Sequence, residues 1–194
     1  MKVKNDNPVG FLAKDADPLI RLYFQVNHLK QLYRQGWLKR GRDIPEHLCE
    51  SVAEHIFGMA ILALFVCDKH FPDLDRNRVV TMTLIHELGE IKDGDKYITD
   101  PEERKLRKQA ERLAITELLE DFPDSTYLEL WEEFEAGATG EAKLVKELDK
   151  LEMVMQAAIY AQQHGKDMSE FFESSDAHIS SDELRRLFDS VRTL

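Results

Sequence analysis

From Asp17 onward, Leu19, Leu22, Tyr23, Val26, Leu29, Leu32 and Tyr33 recur at helical spacing, with polar residues between them. Asp17-Pro18 reads as a cap followed by a proline at the first helical position, and Gly36 as the stop, so the pattern predicts an amphipathic helix between them. A second run carries Val52, Ala53, Ile56, Met59, Ala60, Ala63 and Val66. A third goes from Asp75 through Val79, Met82, Thr83 and Leu84 to Glu87, and both predict helices with buried faces. Lys92-Asp93-Gly94-Asp95 breaks the periodicity with turn chemistry, and Asp100-Pro101-Glu102-Glu103 reads as the cap and acidic first turn of the next helix, leaving 92–100 as a loop. Further helices are predicted over 102–121, 125–135, 141–164 and 181–192, with the stretch Gly137 to Gly140 and Gly165 as breaks. No alternating β-branched run is long enough for a sheet, and no repeat is visible, so the fold class expected is all-α, a single domain over 1–194.

Composition narrows the function. A chain of 194 residues, 43% hydrophobic and 32% charged, buries a sizeable core without disulfides or a structural metal. The net charge of −11 repels polyanions and argues against a nucleic acid polymer as partner, but leaves room for a small anion in a pocket of locally reversed field. Cys49 and Cys67 have neither metal-ligand spacing nor disulfide density, which points to a reducing compartment and a cytoplasmic protein. Met1 to Gly10 is polar where a signal peptide needs an apolar run. The longest apolar stretch, Ala60 to Cys67, cannot span a bilayer, so no membrane role is expected.

The chemistry-bearing residues are scattered but few. His55 sits among apolar positions of the second helix, where a lone histidine is ordinarily part of a core. His86-Glu87, followed by Glu90, Asp93 and Asp95, concentrates imidazole and carboxylate beside the 92–100 loop. Asp149 falls among Leu144, Val145, Leu148, Leu151 and Met155, on a helix face that turns it toward the core, unless it merely pairs with Lys146 or Lys150.

Taken together, His55, His86-Glu87 and Asp149 resemble the H…HD…D signature of HD-domain phosphohydrolases. The likeness is nearest to the 5′-deoxynucleotidase-like branch and covers about residues 17–160. It is carried by Gly36-Trp37, the run from Glu50 to His55, the run from His86 to Ile91 with Gly94-Asp95, and the run from Glu147 to Glu152. The resemblance implies that His55, His86, Glu87 and Asp149 bind one divalent metal, that Glu90 and Asp95 activate water and handle protons, and that Trp37 lines the nucleoside pocket. It also implies a homodimer. One departure stands out, because the family has Asp after its second His and this chain has Glu87, one methylene longer.

Two imidazoles with two carboxylates suit Co²⁺ or Mn²⁺ first, with Mg²⁺, Fe²⁺, Ni²⁺ and Zn²⁺ as further candidates. Arg40 or Arg42 offers a planar fork for phosphate, and Lys92 and Lys96 are additional phosphate candidates. The activity expected is release of inorganic phosphate from nucleotides, with the length of the phosphate chain left open. A non-catalytic nucleotide or metal sensor is the alternative, and a purely structural helical scaffold the third reading.

Overall fold

The apolar periodicity resolves into ten α-helices among the described residues, with two 3₁₀ turns at His28–Lys30 and Glu46–Leu48. The computed structural model describes residues 2–5, 15–40, 44–96, 98 and 100–194, with Arg40 described in its backbone alone. In chain order the helices are α1 (Pro18–Asn27), α2 (Gln35–Arg40), α3 (Val52–His70), α4 (Arg76–Ile85), α5 (Glu90–Asp93), α6 (Pro101–Leu118), α7 (Tyr127–Ala136), α8 (Gly140–His164), α9 (Ser169–Asp176) and α10 (Asp182–Arg192). The only extended pairing among these residues is two isolated bridges, Val3 with Leu32 and Tyr33 with Ser51. The all-α expectation holds.

The longest helix, α8, is the axis of the structure: α3, α4, α7, α9 and α10 all pack on it. Its Leu144, Leu148, Leu151 and Val154 meet Met59 and Ala63 of α3, Met82 of α4 and Phe188 of α10 in one buried cluster. Each aliphatic side chain of this size contributes roughly 1.5–3 kcal/mol on burial, so this cluster, and not the polar site beside it, holds the helices in register.

Caps fix where the key helices start. Ser51 Oγ accepts from Glu54 N–H at 3.3 Å while Ser51 N–H donates to Glu54 Oε2 at 2.6 Å, a reciprocal capping box that opens α3. Glu54 is therefore a cap beside His55 and no part of its chemistry, and the box sets His55 one turn into the helix. Asp75, Asp100 and Thr139 likewise cap α4, α6 and α8 through their side chains. Gly137 and Gly165 end α7 and α8 with φ of 60° and 61°, the left-handed conformation that closes helices.

Three expectations about elements are corrected. The first helix does not run from Asp17 to Gly36. It ends at Asn27, passes through a 3₁₀ turn at His28–Lys30, and restarts as α2, with Gly36 inside a helix and not at its end. The helical spacing misled because Leu29 and Leu32 bury against Val52 and Ile56, whereas Tyr33 buries against Trp37 in a separate cluster, so no common helix face is needed. The third helix stops at Ile85 rather than Glu87, and α5 then takes up Lys92 and Asp93, which the sequence pattern places in the loop. The short α9 was not anticipated: its sequence is mostly polar and it buries only Phe171 and Ser175.

Candidate metal centre

Three helices converge on one point. His55 comes from the first turns of α3, His86 from the residue that closes α4, and Asp149 from the middle of α8. One ligand atom from each lies within 4.8 Å of the other two. His86 is fixed twice, because its backbone carbonyl accepts from the Trp131 indole N–H at 3.1 Å and its ring Nδ1 lies 2.9 Å from the Thr83 carbonyl. A carbonyl can only accept, so Nδ1 carries the proton and Nε2 presents a lone pair. His55 Nδ1 lies 2.5 Å from Glu152 Oε2, and its Nε2 is 3.3 Å from Asp149 Oδ1.

The fit to a cation is tested by what these atoms lack. His55 Nε2, His86 Nε2 and Asp149 Oδ1 are all buried with no hydrogen-bond partner. Burying an unsatisfied polar atom costs about 1–3 kcal/mol, and three around one point cost several times that unless a shared partner satisfies them. Two imidazole nitrogens and a carboxylate oxygen are the donor set of a first-row divalent ion, so the cluster is capable of holding one.

The remaining sequence candidates fall out differently. Glu87 does not complete the cluster. Its Oε1 accepts from Arg34 Nη1 at 2.9 Å and lies 3.6 Å from His86 Nε2. Asp149 does pair with Lys150, at 2.8 Å, but through Oδ2; Oδ1 turns to the centre, with no hydrogen bond and with Arg34 Nη2 3.6 Å away. Asp95 accepts from the Gln35 backbone N–H at 2.7 Å and faces the cavity. Gly94 holds φ 71° and ψ 173°, a conformation essentially confined to glycine, and this is what turns Asp95 inward. Glu90 is only 2% exposed, bonded to Arg107 through Oε1, with Oε2 buried and unpartnered. Lys96 lines the cavity, whereas Lys92 is held by Glu117 on the surface outside it. Trp37 is 3% exposed, its ring tilted on Phe171 at 4.2 Å and edge-on to Tyr160, with its N–H donated to Glu50 at 2.8 Å. Mostly a core residue, it still shows an edge to the cavity. Arg42 lies outside the described residues, as does the side chain of Arg40.

Environment pushes the carboxyl groups apart. Burial, with Glu87 and Asp95 nearby, raises Glu90 well above the ordinary carboxylate range against the pull of Arg107. Burial also works against ionisation of Asp149, but Lys150, His55 and Arg34 outweigh it and hold that group well below the range. Glu87 is lowered in the same way by His86 and Arg34. Burial and Arg34 pull His55 down, yet the flanking Glu152 and Asp149 carboxylates win and raise it to about 9. Burial lowers His86. Burial raises Asp95 as well, against the pull of Arg34, and carboxyls that are raised beside others that are held down are the arrangement from which acid and base roles are divided.

The cluster opens on a cavity of about 770 Å³. Its lining holds eight Lys and Arg against six Asp and Glu, the reverse of the whole chain, where acids outnumber bases 37 to 26. Arg34 and Arg107 are the residues that sequence reasoning missed. Arg34 sits in a run read only for its apolar periodicity, and Arg107 in the charge-rich stretch of α6 that reads as a solvated face. Glu50 and Glu152 were noticed only as parts of longer matching strings, with no signal of their own.

Fold and site together define an all-helical protein with a His/His/Asp cluster capable of holding a divalent metal beside a basic-lined cavity. The chain belongs to the HD-domain family, whose model matches residues 26–192. It is 34% identical over 187 residues to the 5′-deoxynucleotidase HDDC2 of Bos taurus, covering 93% of this chain and 88% of that one. Among solved structures it resembles a conserved hypothetical protein of Pyrococcus furiosus, with a TM-score of 0.72, 31% identity and coverage of 90% of this chain and 99% of that one. It also resembles a protein named "Predicted metal-dependent phosphohydrolase" from Magnetospirillum magnetotacticum MS-1, with a TM-score of 0.65, 25% identity and coverage of 91% and 88%.

Proposed function

We propose that this protein is a metal-dependent phosphohydrolase that releases inorganic phosphate from nucleotides, with 5′-deoxynucleoside monophosphates as the first substrates to try. The observation that carries the reading is the set of three orphaned, buried ligand atoms at the floor of a cavity with reversed local charge. A relative bearing the name 5′-deoxynucleotidase and a structural neighbour named as a phosphohydrolase support it.

His55, His86 and Asp149 would hold the ion, with Glu87 close by as a second carboxylate and Co²⁺ or Mn²⁺ the preferred metals. When bound, the ion supplies Lewis-acid charge for the phosphoryl oxygens and lowers the pKa of a water molecule. The chain's own groups do the rest. Arg34 and the cavity lysines attract and orient the phosphate, the Trp37 edge and Phe171 offer a flat apolar wall to the nucleoside, and Glu90, buried behind the Arg107 of the cavity wall, holds a proton for the leaving oxygen. Asp95, steadied by the Gln35 N–H, orients the attacking water. Reversed charge inside the cavity on a chain of net charge −11 favours small nucleotides over nucleic acid polymers.

The test is a phosphate-release screen over deoxy- and ribonucleoside mono-, di- and triphosphates with each divalent metal. Release from deoxynucleoside monophosphates with Co²⁺ or Mn²⁺, abolished by a chelator and restored by metal, is the expected result. No release from any nucleotide with any metal would sink the enzymatic reading, and nucleotide binding without turnover would establish a sensor. The Arg34–Glu87 pair, which draws Glu87 away from the cluster, is the feature that favours a sensor.

The reading extends to assembly and location. Phe57, Ile61, Leu64 and Phe65 share one face of α3 and are 69%, 41%, 37% and 70% exposed, an apolar stripe suited to pairing with a second copy. Light scattering should give a dimer for the native chain and a monomer when Phe57 and Phe65 are both changed to Glu; a native monomer at all concentrations disposes of the idea. No helix among the described residues is long and apolar enough to cross a membrane, and a cytoplasmic location is part of the proposal.

A further inference from the structure

The two imidazoles at the centre are held from behind in different ways. Behind His86 stands a neutral backbone carbonyl, that of Thr83. Behind His55 stands a carboxylate, that of Glu152, with 2.5 Å between Nδ1 and Oε2. We propose that Glu152 is a positioning residue of the metal centre: it accepts the Nδ1 proton of His55 and so aims the Nε2 lone pair of that ring at the point shared with His86 and Asp149. This inference rests on reading the cluster as a metal centre.

The geometry supports the assignment from both helices. On α8, Asp149 and Glu152 are three residues apart and so lie on one face, which puts a carboxylate on each side of the His55 ring. On α3, Gly58 follows His55 by three residues and faces Glu152. A Cβ added at Gly58 would stand 3.0 Å from Glu152 Oε1 and 3.4 Å from its Cγ, so the missing side chain is what leaves room for the carboxylate. His55 is wholly buried and Glu152 nearly so, which keeps water from competing for Nδ1. The link joins residues 97 positions apart, so it fixes the ring against the helix that carries Asp149.

Behind Glu152 lies Glu50, whose carboxylate falls within 4.8 Å of both Glu152 and His55 and accepts the Trp37 indole N–H at 2.8 Å. Glu152 thus has a second carboxylate beside it, one that is itself held by Trp37. A carboxylate behind a ligating imidazole fixes ring orientation and raises the basicity of the ligating nitrogen, and losing such a partner usually costs 10–100-fold in metal affinity. A backbone carbonyl does the first and much less of the second, so His55 is the stronger donor of the pair.

Zn²⁺ affinity, measured by competition with a chromophoric chelator, tests this on the intact chain. Glu152→Gln keeps the shape and removes the charge, and should bind Zn²⁺ roughly 10–100-fold more weakly than the native protein, with an unchanged far-UV circular dichroism spectrum. Gly58→Ala, which crowds the carboxylate, should fall between the two. A purely structural role would leave the imidazole spectrum alone, so the second readout is NMR of the Zn²⁺-loaded chain. The native His55 Nδ1–H should be far downfield and slow to exchange, and should move upfield and exchange faster in Glu152→Gln. Equal Zn²⁺ affinity in the two proteins, or an Nδ1–H that does not shift, overturns the proposal. The native spectrum also decides the matter if the variants fail to fold: a His55 proton found on Nε2 refutes it. Native protein that takes up no Zn²⁺ at all removes the metal centre itself, and this inference with it.

Discussion

Changing His86 or Asp149 to alanine should take bound metal from one ion per chain to background and turnover with it, while the helical signal stays within a few per cent of native. The separation is expected because the packing around α8 is carried by Leu144, Leu148, Leu151 and Val154, none of which touches the centre's chemistry. His86→Ala removes an imidazole whose Nε2 has no partner of its own, so the fold gives up little beyond the Thr83 contact and some packing against Phe134. Asp149→Ala leaves Lys150 free to turn to solvent and leaves Arg34 its bond to Glu87. A stability loss of about 1–3 kcal/mol is the scale for such losses. His55→Ala is a poorer probe of the same point, since it strands the buried Glu152 carboxylate, and removing one member of a buried charged pair costs about 3–5 kcal/mol. Metal content by mass spectrometry alongside circular dichroism makes the measurement. Full occupancy in either alanine variant would remove that residue from the centre.

For Glu90→Gln the expectation is a loss of roughly 10²–10⁴-fold in turnover with metal content and nucleotide affinity preserved. Glutamine keeps the volume and the Arg107 contact but cannot give up or take a proton as a carboxyl does. Burial and two neighbouring carboxylates raise the Glu90 pKa well above normal, so the group keeps its proton at pH values where exposed glutamates have lost theirs. An acid is active while protonated. Native turnover should therefore fall as pH rises through the elevated Glu90 pKa, and the variant's profile should lack that descending limb. Metal loss in Glu90→Gln would instead make it a ligand, and an unchanged rate would reduce it to the anchor of Arg107.

How much of this could be read from the chain follows from which residues announce themselves locally. α3, α6, α7, α8 and α10 were legible because their apolar spacing coincides with clear caps or stops, as Ser51-Glu54 and Gly165 illustrate. The break after Asn27 was not, because Leu29 and Leu32 bury in one cluster and Tyr33 in another while mimicking a single helical face. His55, His86 and Asp149 were legible as a resemblance, and the fold does bring them together. Arg34, Arg107 and Glu152 were not, since a charged side chain gives no local sign of whether it meets water or a partner 17, 53 or 97 residues away. Glu87 is the instructive case: its extra methylene shows in the sequence, but that it goes to Arg34 depends on where α2's approach places a guanidinium.

Asp95 does two things at once. Its carboxylate accepts the Gln35 N–H at the head of α2, and two residues further along that helix stands Trp37, the edge of the cavity wall. Grip and chemistry therefore share a mechanical joint: a ligand that settles against the indole pulls, through about half a turn of helix, on the same hydrogen bond that orients the carboxylate. Such a joint is reciprocal, so a change in the charge of Asp95 must alter how firmly the wall is seated by the same free energy as the wall alters the proton affinity of Asp95. Substrates that differ only in the part that leans on Trp37 would then be told apart by how fast they react as well as by how tightly they bind.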